Sequence, residues 1–169
     1  MDLSHLKTGL IISLFIILYG FTLGIIFGAF EEDIKENYRS RAETVLDETY
    51  KGDTALLDKT VSKAWEFLKH AHTHALGLGP ISLLLIIVLS FLQMPGKLKF
   101  YTGLAVSIGS LGYPVYWTVA SVIAPTSGNH EAARESLWWM AQPTAGLCFL
   151  GLIVIIFYAF KSIPCCKKQ

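Results

Sequence analysis

The amino-acid sequence predicts an all-α fold, an integral membrane four-helix bundle with an extramembrane antiparallel helical hairpin between the first and second spans. The 169-residue chain is 53% hydrophobic and only 16% charged, and its mean hydropathy is +0.49. Soluble domains usually carry more charge. The apolar residues form four blocks, each close to the roughly 20 helical residues that cross a hydrocarbon core. The blocks lack Asp, Glu, Lys, Arg and His, and they lie at Leu10–Phe30, Leu76–Met94, Phe100–Ala124 and Leu137–Phe160. We therefore expect one membrane domain over residues 1–169.

The first apolar block is predicted to remain in the mature protein, because it is longer than the apolar region of a signal peptide and no A-x-A-like site follows it. It contains Gly20, Gly24 and Gly28, which are spaced four residues apart. On a helix this spacing makes a groove that another helix can approach closely. The groove is either a seam between two copies of the chain or a packing surface within one bundle. We favour packing within one chain, because a four-span bundle already supplies neighbours.

The segment from residue 31 to residue 75 is predicted to form the helical hairpin. It contains no proline and repeats apolar residues at helical spacing, so the first span should continue as a helix to about Tyr50. Lys51, Gly52 and Asp53 form a plausible turn, with Asp53 or Thr54 as the N-cap of a returning helix. Each arm has about 20 residues and a length of roughly 30 Å.

Lysines predict the orientation of the bundle. Short loops rich in Lys and Arg stay in the cytoplasm. With four spans, one side of the membrane receives the N-terminus, the turn between the second and third spans, and the C-terminal tail. These segments carry Lys7, Lys97, Lys99, Lys161, Lys167 and Lys168. Both termini are therefore expected in the cytoplasm, with the hairpin on the periplasmic, extracellular or lumenal side.

The third and fourth spans carry Pro114 and Pro143, which remove a backbone donor and bend a helix. Asn129 is placed to cap a short amphipathic segment, HEAARESLWW, that leads into the fourth span. Aromatic residues near this end fit an interfacial belt. The belt residues are Tyr116, Trp117, Trp138 and Trp139.

Three histidines in the stretch HAHTHALGLGP form the strongest cluster of potential ligands. On a helix His70 and His74 are four residues apart and share one face, where both imidazoles can reach one metal ion. Because each residue turns roughly 100°, His72 points about 160° away from the middle of that pair. All three can bind one ion only if the helix breaks at the following Gly77–Pro80. A helical wheel places His72 beside Trp65 on the apolar face.

These residues predict a metal or haem site at the outer membrane face. His72 or His74 could combine with His130 and a carboxylate such as Glu31, and His70 is a further candidate ligand. Nitrogen and oxygen ligands suit zinc, copper or non-haem iron. The alternative cofactor is haem b, held by His72 or His74 together with His130. A covalent c-type haem is excluded, because the sequence has no C-x-x-C-H.

The function predicted from this site is electron transfer or metal handling. The rival hypothesis is a cofactor-free accessory or assembly subunit, in which the hairpin and the glycine groove contact other membrane subunits or a second copy. A membrane enzyme acting on lipids or quinones has the least support, because no acid–base pair or nucleophile stands out. The sequence thus favours a chain that is not an enzyme on its own.

Other functions and modifications are constrained by composition. No span carries an ionisable residue of the kind that marks an ion path, so a charge-coupled transporter is not expected. The net charge is +1 and the basic residues are scattered, which excludes a nucleic-acid surface. Cys148 is expected to pack as a small apolar residue. Cys165 and Cys166, in the tail, are either palmitoylation sites or reduced thiols without a role.

Overall fold

The computed structural model describes residues 4–162, and within this range the chain is helical and has no strand. The long helices are α1 (Lys7–Glu43), α3 (Thr54–Phe91), α4 (Gly96–Ile123) and α6 (Trp138–Ser162). The short helices are α2 (Leu46–Thr49) and α5 (His130–Ser136), and a 3-10 turn at Ala124–Thr126 follows α4. The tail that contains Cys165, Cys166, Lys167 and Lys168 lies outside the described residues.

Four helices, α1, α3, α4 and α6, are long and apolar enough to cross a membrane. The prediction of an all-helical chain with four candidate spans is therefore confirmed. Two of the predicted apolar blocks are parts of longer helices, since α1 has 37 residues and α3 has 38. Helix α3 continues through Pro80 without a break.

Helices α1 and α3 pack side by side in opposite directions and are joined by α2 and a tight turn. The turn uses left-handed backbone at Lys51 (φ 54°) and Gly52 (φ 77°). Asp53 then caps α3, and its carboxylate accepts a hydrogen bond from the Leu56 amide at 2.9 Å. Both the turn and the N-cap agree with the sequence prediction.

The predicted end of the first helix, at about Tyr50, is wrong, because α1 ends at Glu43. The chain bends at Val45, whose φ of −119° is not helical, and this bend turns Tyr50 inward. Tyr50 is 2% exposed, and its hydroxyl donates a hydrogen bond to the Pro125 carbonyl at 2.7 Å. Burial raises the pKa of the Tyr50 phenol, which keeps the hydroxyl protonated as a donor.

The end of α4 and the following 3-10 turn pack against the α1–α3 pair. Besides the Tyr50 contact, the Tyr38 hydroxyl donates to the Ser121 hydroxyl at 3.2 Å. The residues buried here come from α1, α3, α4, the turn and α5, so these elements share one core. Its members are Tyr38, Ala64, Phe67, Tyr116, Ala120, Ala124, Ala133 and Leu137.

Helix α6 packs mainly on α4, and glycines make the contact close. A Cβ atom added to Gly109 would lie 2.6 Å from the Cys148 amide nitrogen and 2.6 Å from the Thr144 carbonyl oxygen. The Ser110 hydroxyl lies 3.6 Å from the Cys148 sulfur. Cys148 thus packs at the helix interface, as the sequence predicts for a small apolar residue.

The surface divides into two parts, which we call the apolar belt and the charged end. The charged end comprises residues 31–69 and helix α5, and Arg39 joins α1 to α3 there through an ion pair with Asp58 at 3.1 Å. The apolar belt comprises exposed hydrophobic side chains on all four long helices. Its members include Phe15, Leu18, Phe21, Ile25, Leu84, Phe91, Ile108, Phe149, Leu150, Phe157 and Phe160.

Candidate functional site

The three clustered histidines lie on opposite faces of α3. His72 faces α1, where its Nδ1 donates a hydrogen bond to the Gly20 carbonyl at 2.9 Å. The carbonyl can only accept, so the proton is on Nδ1 and Nε2 holds the lone pair in the neutral ring. The ring packs on Phe27, with 5.3 Å between ring centroids. A Cβ atom at Gly24 would lie 2.9 Å from His72 Cε1, so the imidazole fills the groove at this glycine.

His70 and His74 face α4 and surround Trp117. Their ring centroids lie 5.0 Å and 6.3 Å from the Trp117 ring, and the His74 and Trp117 planes are nearly parallel. His74 also meets Tyr113 edge to face at 4.7 Å. The two imidazole centroids are 6.3 Å apart. His70 is exposed and His74 is half-buried, so one imidazole of the pair remains open to solvent.

The other predicted ligands do not join the histidines in one group. Glu31 forms an ion pair with Lys35 at 2.6 Å. His130 begins α5, and its Nδ1 is buried without a hydrogen-bond partner among the described residues. Within residues 4–162, no group of three or more His, Cys, Asp or Glu side chains is placed to hold a metal ion. Because α3 does not break after His74, its histidines keep the separate faces that a regular helix imposes.

The glycine groove of α1 is filled by the chain's own α3. A Cβ atom at Gly20 would lie 2.7 Å from Leu76 Cδ2 and 3.1 Å from the Leu76 amide nitrogen. His72 occupies the groove at Gly24, as described above. At Gly28, by contrast, a Cβ atom would meet nothing within 4 Å. Two of the three glycines therefore serve packing within one chain, which is the interpretation favoured by the sequence.

An open cavity of about 600 Å³ lies between α4, α5 and α6, next to the two histidines that face Trp117. Four aromatic side chains line it, namely Tyr113, Tyr116, Trp117 and Trp138. Charged and polar groups line the opposite part, namely Glu131, Arg134, Glu135 and Gln142. Ala141 and Ala145 complete the wall on α6. This volume is within the range of small-molecule sites.

The charged side chains in the cavity have no counter-ion among the described residues. The Arg134 guanidinium carbon lies 5.5 Å from the centroid of the Trp117 ring, a cation–π contact. Across residues 4–162, Glu131, Arg134 and Glu135 form no ion pair with another side chain. All three side chains are exposed, and they are available to a ligand that enters the cavity.

Sequence reasoning missed this cavity, although part of its signal was present. Glu131, Arg134 and Glu135 have i, i+3 and i+4 spacing, which places them on one face of a short helix. The sequence also placed Trp117 and Trp138 at one level. Comparisons with protein-family models, curated proteins and solved structures find no match. Function therefore has to be inferred from the geometry of the cavity and of the histidines.

Proposed function

We propose that this protein is an integral membrane protein that binds an amphipathic small molecule in the cavity between α4, α5 and α6. One observation carries the proposal: the same cavity of about 600 Å³ is lined by four aromatic side chains and by three charged groups that have no counter-ion within residues 4–162. A ligand with an apolar part and a charged part would satisfy both halves of this lining.

The membrane location is supported by the apolar belt. Phe21, Ile25 and Phe160 are 61%, 72% and 78% exposed. Soluble proteins rarely expose contiguous apolar patches this extensive, because such patches promote association. Lipid tails around the apolar belt would cover these side chains and so remove the tendency to associate. The hairpin in this arrangement stands outside the membrane, because its surface carries the charged side chains of α1 and α3.

The proposed orientation follows from the lysine distribution. Lys7, Lys97, Lys99 and Lys161 lie at the end of the bundle opposite α5, and basic loops of this kind stay in the cytoplasm. The charged end and the cavity then face the periplasm, the exterior or a lumen. Trp138 and Trp139 are 65% and 67% exposed beside the cavity. Exposed tryptophans favour the headgroup level of a bilayer, which supports a position of the cavity at the membrane–water interface.

Filling the cavity should abolish binding without unfolding the protein. Ala145 is exposed and lines the wall on α6, so Ala145→Trp places an indole in the cavity without disturbing the core. We expect at least a tenfold loss of bound amphiphile, with unchanged helicity. Native mass spectrometry of detergent-purified protein would measure bound mass, with palmitoyl-oleoyl phosphatidylethanolamine as the charged probe and decylubiquinone as an uncharged comparison.

The matched control for this experiment is Leu150→Trp, which adds an indole to the same helix at an exposed position outside the cavity. It should bind the probes as the unmodified protein does. Equal binding by Ala145→Trp and the unmodified protein would contradict the proposal. Failure of the unmodified protein to retain the phosphatidylethanolamine would contradict it as well, and would favour the accessory-subunit hypothesis.

Metal handling is the second candidate function, and the His70–His74 pair favours it. The two imidazoles share one face of α3 with centroids 6.3 Å apart, a separation that one zinc, copper or iron ion could bridge. His72 lies on the other face and would not share that ion. His130 and Glu31 would have to move to join it. A haem b in this region, with a role in electron transfer, would take His72 or His74 together with His130 as its axial ligands.

Metal content tests this candidate directly. Protein purified without an affinity metal or chelator should contain near-stoichiometric transition metal, and His74→Ala should lose at least nine-tenths of it. His72→Ala should retain the metal, because His72 faces α1, on the side of α3 opposite the His70–His74 pair. His5→Ala, at the far end of the bundle beside Gly96, is the control. Metal-free, folded protein without a Soret absorption band would contradict both the metal and the haem hypotheses.

A further inference from the structure

We infer that the cavity selects a zwitterionic phospholipid, with the phosphate on Arg134 and the ammonium group between Glu131, Glu135 and the aromatic rings. This inference rests on the proposed function and names the ligand class of that site. It follows from three features of the cavity: the signs of the charges that line it, the cation–π contact of Arg134 with Trp117, and an apolar stripe that leads away from the cavity along α6.

The charge arrangement favours a ligand that carries both signs. Helix α5 presents Glu131, Arg134 and Glu135 to the cavity, which gives the lining one cation and two anions. An anionic ligand would meet Arg134 but also two carboxylates that repel it. A cationic ligand would meet the carboxylates but also the guanidinium. Only a ligand with separated positive and negative groups can pair with all three side chains, since like charges in contact oppose binding.

Arg134 has donors available for a phosphate. Its guanidinium carbon lies over the Trp117 ring, 5.5 Å from the ring centroid. Within residues 4–162 the side chain forms no ion pair that would use its N–H groups. Arginine donors match the oxygens of a phosphate in a bidentate pair. The cation–π contact thus keeps a phosphate receptor at the cavity wall.

The aromatic side chains provide for the ammonium group. Tyr113, Tyr116 and Trp138 line the cavity together with the two carboxylates. Aromatic faces attract ammonium ions through the ring quadrupole, and carboxylates add direct charge pairing. Choline and ethanolamine headgroups carry such an ammonium a few bonds from their phosphate, so both can span from Arg134 to the carboxylates.

An apolar stripe on α6 distinguishes a lipid from a soluble phosphocholine. Ala145 lies at the wall of the cavity, and the residues that follow it at helical spacing are exposed and apolar. Phe149, Ile153 and Phe157 are 64%, 46% and 62% exposed. Residues spaced by four form a continuous ridge that is inclined to the helix axis. An acyl chain attached to a headgroup in the cavity would therefore lie along this stripe.

Native mass spectrometry with defined lipids tests the inference on the whole protein in mild detergent. The probes are palmitoyl-oleoyl lipids with ethanolamine, choline or glycerol headgroups, together with a cationic trimethylammonium lipid. We expect the unmodified protein to retain the two zwitterionic lipids at least tenfold better than the anionic and the cationic lipid. Soluble phosphocholine at the same concentration should not compete.

Charge variants should change the preference in opposite directions. Arg134→Gln should lower retention of the zwitterionic lipids about tenfold and raise retention of the cationic lipid. The double variant Glu131→Gln with Glu135→Gln should reverse the preference toward the anionic glycerol lipid, because only Arg134 remains charged. Two exposed residues outside the cavity supply matched controls, namely Glu48→Gln and Lys59→Gln. The controls should keep the original preference.

Equal retention of all four lipids by the unmodified protein, or an unchanged preference in the charge variants, would overturn the inference. If Ala145→Trp still removes the bound lipid in that case, the proposed function stands and only the headgroup assignment fails. If Ala145→Trp removes nothing, both fail. Competition by soluble phosphocholine as strong as that of the intact lipid would overturn the lipid assignment and identify a soluble ligand.

Discussion

Gly109→Ala is expected to separate helix α6 from helix α4 and to produce the largest loss of stability of any single methyl group added to this chain. The new Cβ atom would lie 2.6 Å from the Cys148 amide nitrogen and from the Thr144 carbonyl oxygen. Both are backbone atoms, which cannot move aside without the whole helix. The cost should exceed the roughly 1–3 kcal/mol of an overpacked core in which side chains adjust.

Thermal unfolding in mild detergent, followed by circular dichroism, would measure this loss. Gly146→Ala is the matched control, because a Cβ atom at this glycine of α6 would meet nothing within 4 Å. Disulfide formation gives a second measurement of the separation between α4 and α6, because the Ser110 hydroxyl lies 3.6 Å from the Cys148 sulfur. With Cys165 and Cys166 replaced by serine, Ser110→Cys should cross-link to Cys148 on mild oxidation. A cross-link that forms equally well with Gly109→Ala would contradict the predicted separation.

Gly20→Leu is expected to produce the second large effect, by pushing α1 away from α3. Even the Cβ atom would lie 2.7 Å from Leu76 Cδ2 and 3.1 Å from the Leu76 amide nitrogen, and leucine adds three more carbons. Close approach of helices at small residues is a main source of stability in membrane bundles. We expect a loss of about 3 kcal/mol or more in the free energy of unfolding, at the upper end for overpacking.

Gly28→Leu is the control for this substitution. Gly28 belongs to the same series of glycines, but a Cβ atom there would meet nothing within 4 Å. It should leave the unfolding transition unchanged. The pair of variants also tests the rival interpretation of the groove. If the groove joined two copies of the chain, Gly28→Leu would lower the molecular mass measured by light scattering in detergent. A fall in mass with Gly28→Leu would therefore refute packing within one chain as the sole role of the series.

Local signals in the sequence predicted much of this fold. Asp53 and Asn129 cap α3 and α5, because a short polar side chain just before a helix can accept a hydrogen bond from one of the first free amides of that helix. The opposite faces of His72 and of the His70–His74 pair follow from the rotation of about 100° per residue. Such features depend only on neighbours in the chain.

Contacts between distant residues explain what the sequence did not predict. The early end of α1 depends on Tyr50 reaching the Pro125 carbonyl, which is 75 residues away. The cavity depends on how closely α4 and α6 approach at Gly109, and on the position of α5 beside Trp117. Neither the approach of α4 and α6 nor the position of α5 produces a periodic pattern in the sequence. The distances between His74, His130 and Glu31 also depend on contacts between distant residues, since these three residues belong to three different helices.

The order of helices along the chain has a consequence for how the protein is made. Helix α3 packs on α1, α4 packs on α3, and α6 packs on α4, so each long helix finds its main neighbour already synthesised. Assembly can therefore follow translation, in which N-terminal parts fold first. The cavity, however, draws its walls from α4, α5 and α6. Under the proposed function, a nascent chain has no ligand site until α6 docks on α4, and occupancy of the cavity would report that this docking has taken place.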